Sequence, residues 1–151
     1  MSIHNFRANR LSRNMTKTPI RKLRRLNLGG NKLTSIPQKA LAILENLKKL
    51  EMQENSIKKI EEGDFAVLYK YASEVYRRNR SEGLRNLDSL GLAHNRLTNV
   101  PPRVFSHLSL LNSLELDGNN IEEVDSEAFA GLEGEHKEMF VRLPGCNVIT
   151  R

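Results

Sequence analysis

Leucine residues recur along this chain with a regular spacing. Four segments follow the pattern LxxLxLxxNx(L/I)xx(I/V), and they begin at Leu23, Leu47, Leu87 and Leu111. The first two starts are 24 residues apart, and so are the last two. Alternation in the LxL part predicts a short strand with one apolar side. A single repeat cannot bury that side alone, so the pattern predicts stacked repeats around a continuous leucine core.

A second apolar pair follows each strand at matching offsets. The pairs are Leu41 and Leu44, Phe65 and Leu68, Phe105 and Leu108, and Phe129 and Leu132. The similarity therefore extends over the whole repeat.

One repeat is longer than the others, because Leu47 and Leu87 are 40 residues apart. The extra residues are assigned to an insertion near 69–84, which is polar and contains all three tyrosines of the chain. Three interpretations remain open: a mispredicted or retained coding segment, a plain surface loop, or a functional binding loop.

The chain divides into three parts on this basis. Residues 1–22 form a basic segment with a degenerate repeat in which Phe6, Asn9 and Leu11 match the pattern. Residues 23–134 hold the four good repeats and the insertion. Residues 135–151 form a degenerate C-terminal repeat.

An asparagine occupies the position at which each repeat leaves its strand. A buried amide there can both donate to and accept from the backbone of adjacent turns, so we expect a ladder. Cys146 falls on the next rung and is expected to fill it as a small buried thiol rather than as a nucleophile or metal ligand. The predicted ladder is Asn31, Asn55, Asn95, Asn119 and Cys146.

The four repeats resemble the leucine-rich repeat family, in particular the typical 24-residue class with a convex phenylalanine, which is common in extracellular and receptor-like proteins. The resemblance covers roughly residues 20–135. It implies an α/β fold: a curved solenoid with parallel strands on its concave face, and loops and short helical turns on its convex face. It also implies that the concave face recognises a protein.

Extracellular members of this family usually carry cysteine-rich caps at both ends, but this chain has a single cysteine. Its first residues, MSIHNFRANRLSRN, contain no apolar run typical of a signal peptide. We therefore expect a fragment of a larger extracellular or cell-surface protein. The alternative is a cytoplasmic scaffold or regulatory subunit.

The polar strand positions predict the binding surface. The candidates alternate with the buried leucines, and they are Arg25, Asn27, Lys49, Glu51, Gln53, Ser89, Ser113, Glu115 and Asp117. Arg25 is the one obvious anchor among them. Two sequons, at Asn14 and Asn79, are candidate glycosylation sites outside the leucine core.

Charge is distributed unevenly, since residues 1–39 carry ten lysines and arginines and no acid within a net charge of +6. A polyanion site would fit this segment, but it lacks interleaved aromatic residues, and no nucleic acid is expected as a partner. The acidic stretch 104–138 lacks the DxDxDG order of a calcium loop.

No catalytic motif is recognised, and the histidines at 4, 94, 107 and 136 are scattered. The sequence thus predicts a non-enzymatic protein with no cofactor, no metal and no membrane-spanning segment. The expected partner is a protein whose identity the sequence does not specify.

Overall fold

The computed structural model describes residues 3–5, 22–65, 84–132, 139–143 and 146–150. They form nine short strands and one helical turn. The strands are Ile3–Asn5 (β1), Arg25–Asn27 (β2), Lys49–Glu51 (β3), Ser89–Gly91 (β4), Asn99–Val100 (β5), Ser113–Glu115 (β6), Glu123–Val124 (β7), Met139–Leu143 (β8) and Cys146–Thr150 (β9), and the helix is Gln38–Leu41 (α1). The insertion from 69 to 83 and both sequons lie outside the described residues.

Seven strands form one sheet in the order β1, β2, β3, β4, β6, β8, β9. Pairing is parallel from β1 to β8, and β9 returns antiparallel to β8. The central leucines of the four repeats lie in register, and Val141 of β8 continues their row. On the convex side, β5 of the third repeat and β7 of the fourth form a small parallel sheet, and the first repeat carries α1. The predicted leucine-rich repeat solenoid is therefore confirmed.

The core lies between these two sides of the solenoid. The leucines of the LxxLxL pattern in the third repeat, Leu87, Leu90 and Leu92, are completely buried, and those of the fourth are buried equally well. Full burial of one such side chain contributes roughly 1.5–3 kcal/mol. Repeated layers of leucine thus supply most of the apolar stabilisation.

Phenylalanine rings stack in a column along the convex side. The ring centroids of Phe65 and Phe105 are 5.8 Å apart, and those of Phe105 and Phe129 are 6.2 Å apart. The convex turns of the second, third and fourth repeats are therefore connected by aromatic contacts as well as by leucine packing.

The predicted insertion, near 69–84, ends at a residue of the core. Leu84, which the sequence assigned to the insertion, is buried in the core. Its carbonyl accepts from the N–H of Leu87 at 2.9 Å, as the Leu108 carbonyl does from Leu111 at 2.8 Å. Leu84 therefore has the same position relative to Leu87 as Leu108 has relative to Leu111.

The backbone adopts a left-handed conformation just before each ladder asparagine. The residue before it has a left-handed φ in all four repeats: 66° at Gly30, 55° at Glu54, 53° at His94 and 68° at Gly118. Glycine adopts this conformation freely, whereas a residue with a Cβ loses about 1 kcal/mol or more in it. The turn is thus imposed by the stacked repeats even where its residue disfavours it.

Asn119 shows the hydrogen bonds of the asparagine ladder. Its Nδ2 donates to the carbonyl of Leu116 in its own repeat at 2.8 Å and to that of Leu92 in the preceding repeat at 3.0 Å. Its Oδ1 accepts from the backbone N–H of Leu97 at 3.1 Å. Asn55 and Asn95 make the same set of bonds, and all three are buried. Asn31 is half-buried, and its Nδ2 donates to Leu28 and Gly29.

The two ends of the sheet differ. At the N-terminal end, β1 pairs with β2 at an offset of 22 residues, the same offset at which Asn9 precedes Asn31. At the C-terminal end, Cys146 begins β9 and pairs with Leu143 across an antiparallel ladder. The role of Cys146 as a further rung stays a prediction, while its backbone lies on β9, which runs antiparallel to β8 instead of continuing the parallel order.

Adjacent asparagines provide a direct test of the ladder. We expect Asn119→Ala to lower the free energy of unfolding by about 2–4 kcal/mol, because it leaves buried backbone donors and acceptors without partners. Asn120→Ala, at the exposed neighbouring side chain, should cost no more than about 0.5 kcal/mol. Urea denaturation of both variants measures the difference, and equal losses would contradict the ladder's structural role.

Two leucines of one convex turn test the core in the same way. Leu108 is completely buried, whereas Leu110 is 52% exposed. Leu108→Ala should lower the free energy of unfolding by about 3 kcal/mol through lost packing and a residual cavity. Leu110→Ala should cost under about 1 kcal/mol. A larger loss at Leu110 in the same denaturation assay would show that this turn packs differently.

Candidate functional site

The candidate site is the face of the seven-stranded sheet that points away from the leucine core, called the sheet face here. Each of β2, β3, β4 and β6 presents to it the residues on either side of its buried leucine, together with the second residue after the strand. Parallel pairing aligns these positions in rows across the strands. The structure thereby brings onto one surface all nine predicted residues: Arg25, Asn27, Lys49, Glu51, Gln53, Ser89, Ser113, Glu115 and Asp117.

Basic side chains lie at the N-terminal part of the sheet face. Arg25 and Lys49 are register partners in the first row, and Arg25 is exposed. The Lys49 Nζ lies 2.8 Å from Glu51 Oε1, so one of the two cations is paired within its own strand. Both members of this pair are partly exposed, and such pairs contribute under about 1 kcal/mol to stability. The charge of Arg25 is the one most accessible to a partner here.

The centre of the sheet face is lined by small residues. Ser89 and Gly91 lie on β4, and Ala93 follows it. A neighbouring glycine, Gly29, lies two residues beyond β2, where its N–H donates to Asn27 Oδ1 at 2.7 Å. Asn27 is thus engaged in a local turn as well as lying on the surface. Gly91 and Ala93 are buried, and the side chains of Gln53 and Glu115 from the adjacent repeats extend toward Gly91.

Acidic side chains lie at the C-terminal part of the sheet face. Glu115 is exposed on β6, and Asp117 is half-buried two residues later. The Asp117 Oδ1 is shielded from solvent and has no hydrogen-bond partner among the described residues. Arg142 on β8 is the register partner of Glu115 and is exposed. Sequence reasoning missed Arg142, because the interval from β6 to β8 is 27 residues instead of 24.

A groove on the opposite side of the first two repeats is the main alternative site. Its lining includes Lys39, Lys58, Lys59, Glu61 and Asp64. The Asp64 carboxylate accepts from the Glu61 N–H at 2.8 Å and from the Gln38 side-chain amide. Asp64 therefore connects its own turn to α1 of the preceding repeat. The groove contains side chains of both charges.

Chemistry-bearing residues are dispersed in the part of the chain that the structure describes. No three His, Cys, Asp or Glu side chains there are grouped so that they could hold a metal ion. His94 is an exposed turn residue, and the Nδ1 of His107 lies 3.3 Å from the neighbouring Ser106 Oγ. Within the same residues, no helix has the length and apolar character needed to cross a bilayer.

The sequence relatives are extracellular repeat proteins. Mouse keratocan is 34% identical over 109 residues, which cover 72% of this chain and 26% of keratocan. Pig fibromodulin is 32% identical over 133 residues, with coverage of 86% of this chain and 75% of the matched sequence. Both are small leucine-rich proteoglycans of the extracellular matrix. The chain spans about a quarter of the length of keratocan.

Solved structures share the fold. An internalin C2 from Listeria monocytogenes superimposes with a TM-score of 0.51 at 23% identity, over 75% of this chain and 39% of the internalin. The family model described as Leucine rich repeat matches residues 21–70 and 85–134. Since those two segments cover well over half of the sequence, the chain belongs to the leucine-rich repeat family.

Proposed function

We propose that this chain is a non-enzymatic protein-binding module of an extracellular or cell-surface leucine-rich repeat protein, and that it recognises its partner with the sheet face. The observation that carries the proposal is the separation of roles within each strand. In β6, for example, Leu114 is completely buried, whereas Ser113 and Glu115 on either side point away from the core. The fold thus provides one continuous surface whose side chains are not needed for packing of the core.

The charge balance of this surface favours a protein over a polyanion. Among the described positions, Arg25, Lys49 and Arg142 oppose Glu51, Glu115 and Asp117. Nucleic acids and sulfated glycans require a clear excess of positive charge. A surface with equal numbers of both signs instead matches a folded partner with its own charges of both signs, and such charges set orientation and specificity.

Two further observations support the extracellular and non-enzymatic parts of the proposal. The sequence relatives named above are matrix proteoglycans. His94 and His107 lie in exposed turns, and no three His, Cys, Asp or Glu side chains of the described residues are grouped so that they could hold a metal ion. An extracellular binding module needs no catalytic cleft, because a broad rigid surface is sufficient for recognition.

Paired substitutions on the two sides of the solenoid test the binding surface. Lys49→Glu and Ser113→Tyr alter the sheet face, whereas Lys59→Glu and Ser126→Tyr make the same changes on exposed positions outside it. The full chain is immobilised, and its capture of secreted proteins from the source tissue is measured by quantitative mass spectrometry. We expect the first pair to reduce capture about tenfold or more and the second pair to leave it unchanged. Equal losses from both pairs would contradict the proposal.

Glycosylation tests the extracellular location. If the chain passes through the secretory pathway, Asn14 and Asn79 should carry glycans, and an endoglycosidase should increase the electrophoretic mobility of protein isolated from its own tissue. Asn14→Gln and Asn79→Gln should each remove part of the shift, and Asn120→Gln, outside any sequon, should leave it intact. Unchanged mobility after digestion would argue against this location.

A further inference from the structure

Basic residues of the first two repeats are concentrated beside the starts of their strands. Residues 22–50 carry seven lysines and arginines and a single acid, Glu45. Four of these cations are exposed and lie within two residues of the first leucine of their repeat. They are called the basic rim here, and they are Lys22, Arg24, Arg25 and Lys48. Only Arg25 belongs to both the rim and the sheet face, so most of this surface lies beside the proposed protein-binding surface.

Backbone pairing holds the rim cations of the two repeats next to each other. The N–H of Lys48 donates to the Arg24 carbonyl at 2.8 Å, and the N–H of Lys49 donates to the same carbonyl at 3.0 Å. Arg25 is the register partner of Lys49. Since adjacent strands are about 4.8 Å apart, Arg24 and Lys48 lie side by side. The stacking of the repeats therefore fixes the spacing of these cations.

The charge of the rim is not neutralised by the residues around it. None of its four cations takes part in an ion pair with another described residue, whereas the adjacent Lys49 is paired with Glu51. Like charges on neighbouring strands repel each other, and a bound anion removes that repulsion. The rim thus has the excess of positive charge that the sheet face lacks.

The equivalent positions of the later repeats carry no positive charge. They are Asn86, Asp88 and Ser89 in the third repeat and Leu110, Asn112 and Ser113 in the fourth. The Asp88 Oδ1 accepts from the Asn112 Nδ2 at 2.5 Å, so these side chains bond to each other. Stacking of the repeats therefore does not require cations at these positions, and the rim is a local feature of the first two repeats.

A sulfated glycan fits the rim better than a nucleic acid does. The sulfate group presents several oxygen acceptors, which suit the paired N–H donors of a guanidinium. Single-stranded nucleic acids are usually bound by aromatic rings on which the bases stack, but the stacked rings of Phe65, Phe105 and Phe129 lie on the convex side. The sequence relatives are proteoglycans of the extracellular matrix, in which sulfated glycans are the common polyanions.

We propose that the basic rim binds a sulfated glycan of the extracellular matrix, whose sulfate groups lie across the first two repeats. This inference rests on the extracellular location in the proposed function, and it adds a second ligand beside the protein partner. Arg24 provides a planar pair of donors to one sulfate, and Lys48 provides a point charge one repeat away.

Calorimetric titration of the full chain with a heparin octasaccharide measures this binding. A hyaluronan octasaccharide, which carries carboxylates but no sulfates, is the matched probe. We expect saturable heparin binding that is at least about tenfold tighter than hyaluronan binding and weakens about tenfold or more between about 50 and 200 mM salt. Equal binding of the two probes, or tighter binding of a single-stranded DNA oligonucleotide of the same charge, would overturn the inference.

Paired substitutions locate the site. Arg24→Gln with Lys48→Gln removes two charges from exposed side chains and should weaken heparin binding at least about tenfold. Lys58→Gln with Lys59→Gln removes two charges on the opposite side of the solenoid and should change binding no more than about twofold. Arg24→Lys with Lys48→Arg keeps both charges and should retain most of the binding. Equal losses from the two glutamine pairs, or unchanged binding of the first pair, would reject the rim.

The sheet-face variants separate this inference from the proposed function. Loss of protein capture by Lys49→Glu and Ser113→Tyr, with heparin binding insensitive to the glutamine substitutions at Arg24 and Lys48, would reject the rim and retain the sheet face. Loss of heparin binding in the rim variant, with capture unaffected by the sheet-face substitutions, would support the rim and refute the role of the face.

Discussion

The rest of the structure depends on the hydrogen bonds that the ladder asparagine makes to two successive repeats. At the point where each strand ends, backbone groups of two successive repeats are buried but cannot all pair with each other. Asn95 fills this place by donating to Leu92 in its own repeat and to Met52 in the preceding one, while its Oδ1 accepts from Ile57. Because one amide satisfies groups on both repeats, forming one turn favours the next. Leucine burial supplies most of the free energy, and the asparagine fixes the register in which that burial occurs.

The consequences of losing this contact are visible where the ladder stops. Asn119 is the last described rung, and after it the chain enters the β8–β9 hairpin. In the third repeat Val100 is 1% exposed, whereas the equivalent Val124 in the fourth is 39% exposed. Phe105 is likewise completely buried, but Phe129 is only partly so. The convex half of a repeat is therefore completed by its successor, as expected for a solenoid in which each unit contacts only its neighbours.

Sequence periodicity was sufficient to predict the core and the sheet face, because strand alternation decides which side chains point inward. It left Leu84 out of the core, because Leu68 already matched the offset from Phe65. Leu84 matches the equally regular spacing to the following strand, and it is buried. The LxxL spacing shared by Leu84 and Leu87 with Leu108 and Leu111 could have found it. The antiparallel return of β9 was not foreseen either, although the Pro-Gly pair that precedes Cys146 favours a turn between strands.

The centre of the candidate site was harder to foresee for a different reason. The environment of Gly91 depends on which residues lie beside it. Glu51 and Gly91 are 40 residues apart along the chain, and the insertion lies between them. Only the parallel register shows that they are direct neighbours, and only the side-chain geometry shows Gln53 and Glu115 extending over the glycine.

A rigid sheet gives such a feature its value for recognition. The strand positions are held by ladders and buried leucines on the opposite side, so the side chains of the sheet face are anchored on a backbone that does not have to be ordered when a partner arrives. Preorganisation of this kind lowers the entropic cost of binding, and that cost often decides affinity when buried area alone does not. The charges at either end of the face would then set the orientation of the partner.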